Sequence, residues 1–357
     1  MTIRIGIAGL GFGAQVHLTA CQRVPGLVVT ALADNGSGRA ASLAAAQAQP
    51  VRAFQTAEEM LEWSGIDAAV IATPPVTHEK LAELALAAGK HVLCEKPVGR
   101  SRAVSEQLQT RAQAGTRTIG VAFEYRYESG IAALAALVGS GRIGQVERAN
   151  VHWLTSGALN AARPWSWHHD IGQGGGVMID WGSHVVDYLW RFGLGRAISV
   201  TAHDGLKIVH RADRAGQLQT VTAPDSCDIT IAYDGAVAQI AISNASSIAL
   251  GHRIELFGAS GRAVLHHAPP FTAGSKSLTV YDRYGKPESL PLPNDGSSED
   301  DRIAAMRGLL TDFAAAITAR YNTLPGLADA ARAWSILEAA QTSARDGGGV
   351  RCLPTAA

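Results

Sequence analysis

The first 123 residues alternate short apolar runs with helical stretches, and nothing else in the chain narrows the possible folds as much. Runs 3–8, 28–33, 51–54, 68–72, 91–94 and 118–123 read as strands. Stretches near 14–23, 38–47, 76–88 and 102–114 read as helices, with one more after Thr56. Thr56 suits an N-cap, with Glu58 and Glu59 in the first turn where carboxylates favour the helix dipole. Gly89 stands where a C′ glycine would end its helix. Strands and helices taking turns on this scale require parallel pairing with helices on both faces. Six strands and five crossovers predict an α/β, doubly wound parallel sheet.

The pattern changes after residue 123. A helix over 129–138 leads to an extended stretch over 146–154, and residues 177–192 have helical period. Short alternating runs follow at 198–202, 227–233, 237–241 and 254–256, with Ile240 and Ile242 on the side away from Gln239. Asp234-Gly235 between two such runs is a two-residue hairpin signal. Gly258–Gly261 and Asp282–Gly285 read as further turns. A polar loop over 294–301 precedes two helices, near 301–319 and 327–344. These features predict two domains: residues 1–123, the doubly wound α/β fold, and residues 124–357, an α+β domain around an antiparallel sheet.

Charge excludes some functions. Lys plus Arg and Asp plus Glu are both 31, so the chain lacks the basic excess that nucleic acid or anionic membranes demand. Hydrophobic residues are 47% against 17% charged, enough for a large core. No apolar run approaches the roughly 18 residues of a membrane helix. Cys21, Cys94, Cys227 and Cys352 are scattered, which fits neither a zinc cluster nor a disulfide framework and suggests a reducing, cytoplasmic setting.

Gly9-Leu10-Gly11-Phe12-Gly13-Ala14 follows the first strand and opens a helix, fitting G-x-G-x-x-[G/A]. The first glycine permits a tight turn, the second lets a pyrophosphate approach the backbone, and a small third residue, Ala14, lets helix and strand pack closely. Asp34 ends the second strand, 21 residues beyond Gly13. A carboxylate there accepts from a ribose 2′-hydroxyl and repels a 2′-phosphate, which predicts NAD over NADP. Its plainer role is to cap the turn with Asn35 and Gly36.

Two further sites carry chemistry. Cys94-Glu95-Lys96-Pro97 ends the fifth strand, where open α/β sheets bind ligands, and Lys96 there can stabilise negative charge on a substrate oxygen. Gly174-Gly175-Gly176 precedes Asp180 and His184, four apart and so on one helix face. Histidine moves protons near neutral pH, and a carboxylate can orient its ring. Asp187 reads as a brace. No third metal ligand is placed beside Asp180 and His184, so no metal is expected.

These residues together resemble the Gfo/Idh/MocA family, named for glucose–fructose oxidoreductase and inositol dehydrogenase. The likeness runs nearly end to end: the glycine loop, Thr73-Pro74 with His78, Glu95-Lys96-Pro97, the glycine triplet with Asp180 and His184, and Asp329-Ala-Ala-Arg332. It implies a Rossmann domain followed by a domain with a large, mostly antiparallel open sheet that binds substrate. It also implies a catalytic group of Lys96, Asp180 and His184, with His184 exchanging the hydroxyl proton while hydride passes to or from nicotinamide. Thr73, Pro74, His78, Glu95 and Lys96 would border the cofactor. Arg126 matches an arginine often found after the sixth strand. Relatives commonly pair through the open sheet, which implies a homodimer or homotetramer.

Arg163-Pro-Trp165-Ser-Trp167-His168-His169-Asp170 departs from the family pattern, with His168 where arginine is common. Such a segment borders substrate in relatives, and Trp165 and Trp167 can stack on a sugar ring. No evident Arg and Lys cluster there suits a phosphate, which favours a neutral sugar, polyol or cyclitol. The rivals are a glycoside hydrolase working by transient oxidation with NAD, and a non-catalytic sugar sensor on the same scaffold.

Overall fold

The computed structural model describes residues 2–293, 300–319 and 325–354, so most of the polar loop expected over 294–301 lies outside them. The chain forms two compact units, Met1–Tyr127 with Arg302–Arg332, and Glu128–Asp301 with Ala333–Ala357.

In the first unit β1 (Ile3–Ala8), β2 (Leu27–Ala33), β3 (Arg52–Phe54), β4 (Ala68–Ile71), β5 (His91–Glu95) and β6 (Ile119–Ala122) form one sheet in the order β3-β2-β1-β4-β5-β6. Every pairing is parallel. The order reverses between β1 and β4, the switch point where such sheets open a crevice at their carboxyl ends. The middle strands are apolar because helices cover both faces; all four residues of β4 are buried.

The boundary expected at residue 123 needs correction. The helix Asp301–Ala319 belongs almost wholly to the first unit. Ile303, Met306, Leu309, Leu310, Phe313 and Ile317 join Ile3, Ile5, Ile7, Leu27 and Val29 in one core. Burying each large side chain is worth about 1.5–3 kcal/mol, so the helix returns to the sheet that offers it an apolar face.

The second unit holds β7 (Val146–Leu154), β8 (Ala197–Gly205), β9 (His210–Ala212), β10 (Leu218–Thr220), β11 (Ser226–Tyr233), β12 (Ala236–Ser243), β13 (Gly251–Gly258), β14 (Gly261–His267), β15 (Lys276–Asp282), β16 (Pro287–Leu290) and β17 (Arg351–Cys352). Nine of them form a sheet in the order β16-β15-β14-β13-β7-β12-β11-β8-β17, and β9 and β10 form a separate hairpin. The turn at Asp234-Gly235 joins β11 to β12 as the sequence predicts. The β7–β12 pair is parallel, so the sheet is mixed rather than purely antiparallel. Alternation gives one buried face, with Ala149, Val151, Trp153, Ile240, Ile242, Ile254 and Leu256. Arg148, Asn150, His152, Gln239, Arg253 and Glu255 take the other.

Lys276, at the start of β15, is buried, with 2% of its side chain exposed, and its Nζ stands 2.5 Å from both Glu128 Oε1 and Asp301 Oδ2. Burial opposes charge on Lys276, but the two carboxylates win and raise its pKa. Burial likewise pushes Glu128 up, and Lys276 with the backbone N–H groups of Gly130 and Ile131 brings it below the ordinary range.

Candidate active site

Each glycine of the first loop has a separate reason. Gly9 has φ +90°, and a Cβ there would sit 2.4 Å from the Ala72 carbonyl oxygen, so both turn and close approach demand glycine. A Cβ on Gly11 would meet no atom within 4 Å, so the space beside it is open to a ligand. A Cβ on Gly13 would lie 3.1 Å from Ile7 and 3.3 Å from Ala72, so the close helix–strand approach expected of Ala14 falls on Gly13. Ala14 is half-buried against the core. The turn that follows, Gly13–Leu18, is a π-helix rather than the α-helix expected from composition. An open cradle at Gly11 beside a tight Gly9 turn fits a dinucleotide pyrophosphate.

Asp34 performs its plainer role. Its Oδ1 accepts from Gly36 N–H at 2.9 Å, and its Oδ2 from the Ser37 hydroxyl at 2.7 Å and Ala40 N–H at 3.0 Å. Partial burial pushes its pKa up, but the bonds from Ser37, Ala40, Gly36 and Arg39 outweigh it and hold the carboxyl below its ordinary range. The side chain is therefore ionised and fixed, with acceptor capacity left on Oδ1 for a ribose hydroxyl.

Lys96 is bracketed by residues that buried histidines hold. On one side, His17 Nε2 lies 2.8 Å from Glu95 Oε1, and Glu95 Oε2 accepts the Lys96 N–H at 3.3 Å. On the other, His78 meets the Pro97 carbonyl at 2.8 Å through Nδ1 and the Thr73 carbonyl at 2.7 Å through Nε2. His78 thus ties the loop after β4 to the loop after β5. Burial lowers its pKa against the pull of both carbonyls; the neutral ring donates to one of them, and only the imidazolium donates to both. The Thr73 and Thr77 hydroxyls lie 2.6 Å apart, which stiffens the Thr73-Pro74 turn. Glu124 follows β6 and is also buried; burial first and Glu95 second push its pKa up to about 8, while Lys96 pulls it down. Sequence reasoning missed His17 and Glu124. His17 falls three residues after Ala14, and only tertiary contact reveals its partner. Arg126 pairs with Asp329 at 2.8 Å, and Asp329 also takes Arg332 at 2.9 Å, so Arg126 braces the first turns of the helix Leu327–Arg345.

In the second unit the expected single helix over 177–192 is two, Val177–Asp180 and Gly182–Trp190, meeting at Trp181. Gly176 has φ +100° and its N–H reaches the His168 carbonyl, so the triplet folds back on the Trp167–His169 turn. This return brings His168 Nδ1 to 3.2 Å from Asp180 Oδ2. Trp167 stacks on His168 with ring centroids 3.6 Å apart. Trp165 is set by its backbone N–H to Ala212 and its indole N–H to Thr220. His184 is buried, 3% exposed, one turn beyond Asp180, and Asp187 is buried on the same helix. Arg211, which the sequence did not single out, is buried and donates to the carbonyls of Ala158, Asn160 and Arg163, pinning the approach to Trp165. Among the described residues no group of three or more His, Cys, Asp or Glu is arranged to hold a metal ion, and no helix is long and apolar enough to cross a membrane.

Comparison with known proteins identifies the family. Residues 3–123 match the model of an oxidoreductase family with an NAD-binding Rossmann fold, and residues 131–264 match the Gfo/Idh/MocA C-terminal domain. An uncharacterised oxidoreductase of Synechocystis is 32% identical over 91% of this chain and 89% of its own. Inositol 2-dehydrogenase of Rhizobium meliloti is 29% identical over 80% of this chain and 82% of its own. Among solved structures, an oxidoreductase domain protein from Kribbella flavida superposes with a TM-score of 0.88 at 22% identity, covering 99% of this chain and 100% of that one. Levoglucosan dehydrogenase in complex with NADH gives 0.87 at 20% identity, with full coverage of both chains. The chain therefore belongs to the Gfo/Idh/MocA family, and it is an NAD-binding oxidoreductase.

Proposed function

We propose that this protein transfers hydride between NAD and a secondary alcohol or ketone of a sugar, polyol or cyclitol. The observation that carries the reading is Lys96, a lysine fixed from both sides at the carboxyl end of β5 in an NAD-binding sheet. Gly9, Gly11, Phe12, Gly13 and Asp34 would hold the dinucleotide, with Thr73, Pro74 and His78 shaping the turn beside Lys96. Bound NAD supplies an acceptor for hydride and none for a proton. An alcohol loses both, so a side chain must take the proton, and such assistance is typically worth about 10²- to 10⁴-fold. His184 is assigned that transfer, Asp180 orients the group, and Lys96 holds the reacting oxygen and its developing charge. Arg126, bound to Asp329, is better read as a brace than as a substrate ligand.

Trp165, Trp167 and His168 form an aromatic segment tied to Asp180, which suits the apolar face of a carbohydrate ring. Inositol and levoglucosan, named for two relatives, are compounds of that kind. The other face of the nine-stranded sheet, on which Arg148 and Gln239 are exposed, supports a homodimer or homotetramer. The four cysteines are free thiols, as suits the cytoplasm. A panel of polyols, cyclitols and sugars, followed by the absorbance of reduced nicotinamide, tests the function. Turnover without net change in cofactor would indicate hydrolysis instead, and binding without turnover a sensor.

A further inference from the structure

His17 sits in an apolar interior with its side chain fully buried. Its Nδ1 has no hydrogen-bond partner among the described residues. A buried polar atom left in that state costs free energy, and a leucine would fill the space without that cost. Stability alone therefore gives no reason for a histidine. What the ring does make is the 2.8 Å contact between Nε2 and Glu95 Oε1. The other oxygen of Glu95 takes the backbone N–H of Lys96 at 3.3 Å. His17 also lies on the π-helical turn that opens at Gly13, and the Phe12 ring packs edge-on against it with centroids 5.5 Å apart. Two hydrogen bonds thus run from the glycine-loop turn, through a carboxylate, to the residue that carries the ammonium.

We propose that His17 is a positioning residue for Lys96: it holds the Glu95 carboxylate and so couples the turn that receives the dinucleotide to the strand end bearing the lysine. His78 fixes the Pro97 side of the same lysine from a different element, so the two histidines confine it from both directions. The inference rests on the role given to Lys96 above, but its test does not depend on that role.

The test is the rate at which acetic anhydride modifies Lys96, read by mass spectrometry of the full-length protein, with Lys80 and Lys286 as internal references. In His17→Phe, which keeps a ring and removes the donor, Lys96 is expected to react faster by about threefold or more while the references stay within about 1.5-fold. His17→Gln places an amide N–H near the lost Nε2 and is expected to restore the slow rate. NADH titration by fluorescence counts the folded sites in each variant. Should His17→Phe bind no NADH, Glu95→Leu severs the same connection from its other end and is expected to speed Lys96 in the same way. An unchanged Lys96 rate in a variant that still binds NADH would overturn the proposal, as would an equal change at the reference lysines. The labelling reports how firmly Lys96 is held whether or not it acts on substrate. Its failure is therefore separable from failure of the catalytic reading, which a Lys96 variant with normal turnover would reveal.

Discussion

Asp34→Asn removes the charge at the position proposed to select the cofactor, at the cost of the bonds that Oδ2 accepts from Ser37 and Ala40. Asparagine keeps an acceptor oxygen in the place of Oδ1, which takes the Gly36 N–H at 2.9 Å, and removes the negative charge. A 2′-phosphate carries about −2, and at a separation of about 5 Å in water-like dielectric its repulsion from one carboxylate is about 332 × 2/(80 × 5), or roughly 1.7 kcal/mol. That is about 15- to 20-fold in kcat/KM. The wild-type protein is therefore expected to prefer NAD over NADP by at least about tenfold, with Arg39 close behind softening the upper end. Asp34→Asn should bring the two cofactors within about threefold, chiefly by improving NADP. Toward pH 5 the preference should narrow without vanishing: the bonds from Ser37, Ala40, Gly36 and Arg39 keep the carboxyl ionised below its usual range, while the 2′-phosphate gains a proton near pH 6 and the repulsion falls by about half. The assay is steady-state kinetics with each cofactor across pH 5–8 on the substrate found by the panel. Equal use of both cofactors by the wild type would refute the argument, and so would an Asp34→Asn enzyme with unaltered preference.

The remaining expectations are direct. His184→Ala and Lys96→Ala should each lower kcat by about 10²-fold or more, with NADH still bound in fluorescence titration, because the glycine loop and Asp34 are untouched. Gly9→Ala should destabilise by about 2–4 kcal/mol, since the new methyl meets the Ala72 carbonyl; Gly11→Ala should leave the urea midpoint almost unchanged but weaken NADH binding about tenfold. Lys276→Met should cost about 3–5 kcal/mol at pH 7 by leaving Glu128 and Asp301 buried without their cation. The sign of its pH dependence follows: with its folded pKa depressed, Glu128 contributes stability above its unfolded pKa in the wild type and loses it as pH falls through the folded value. Without Lys276, burial raises the carboxyl instead, so the variant's deficit should shrink toward pH 5. Light scattering at micromolar concentration should give the mass of a dimer or tetramer, and a monomer mass would remove the sheet-pairing reading.

What could be read from the sequence was local. The Ile3–Ala8 run, the glycine loop and Asp34 lie within one strand–turn–helix–strand unit, whose spacing is set by element lengths. Asp234-Gly235 likewise specifies a hairpin from two residues. What could not be read depends on distant partners. The helix Asp301–Ala319 has the apolar period of any amphipathic helix, and nothing in it names the sheet it will cover. The parallel β7–β12 pair joins segments more than 80 residues apart. The site shows the same division. Lys96, Asp180 and His184 stand in motifs, whereas His17 looks like one more core residue until Glu95 is brought to it. Asp34 carried two readings, selector and cap, and the bonds it accepts from Gly36, Ser37 and Ala40 show that the cap is built.

The late return of Asp301–Ala319 to the first sheet also bears on biosynthesis. Ile3, Ile5 and Ile7 are made well before the side chains that complete their core, Ile303 through Ile317. At 5–20 residues per second, residues 124–301 take roughly 10–35 s to synthesise, and for that interval the nascent nucleotide-binding sheet lacks its covering helix. The second unit waits as well, since it takes in Ala333–Ala357. Neither half can mature in the order in which it is translated. A chain arrested before residue 301 would leave the apolar surface that this helix covers open to chaperones and proteases.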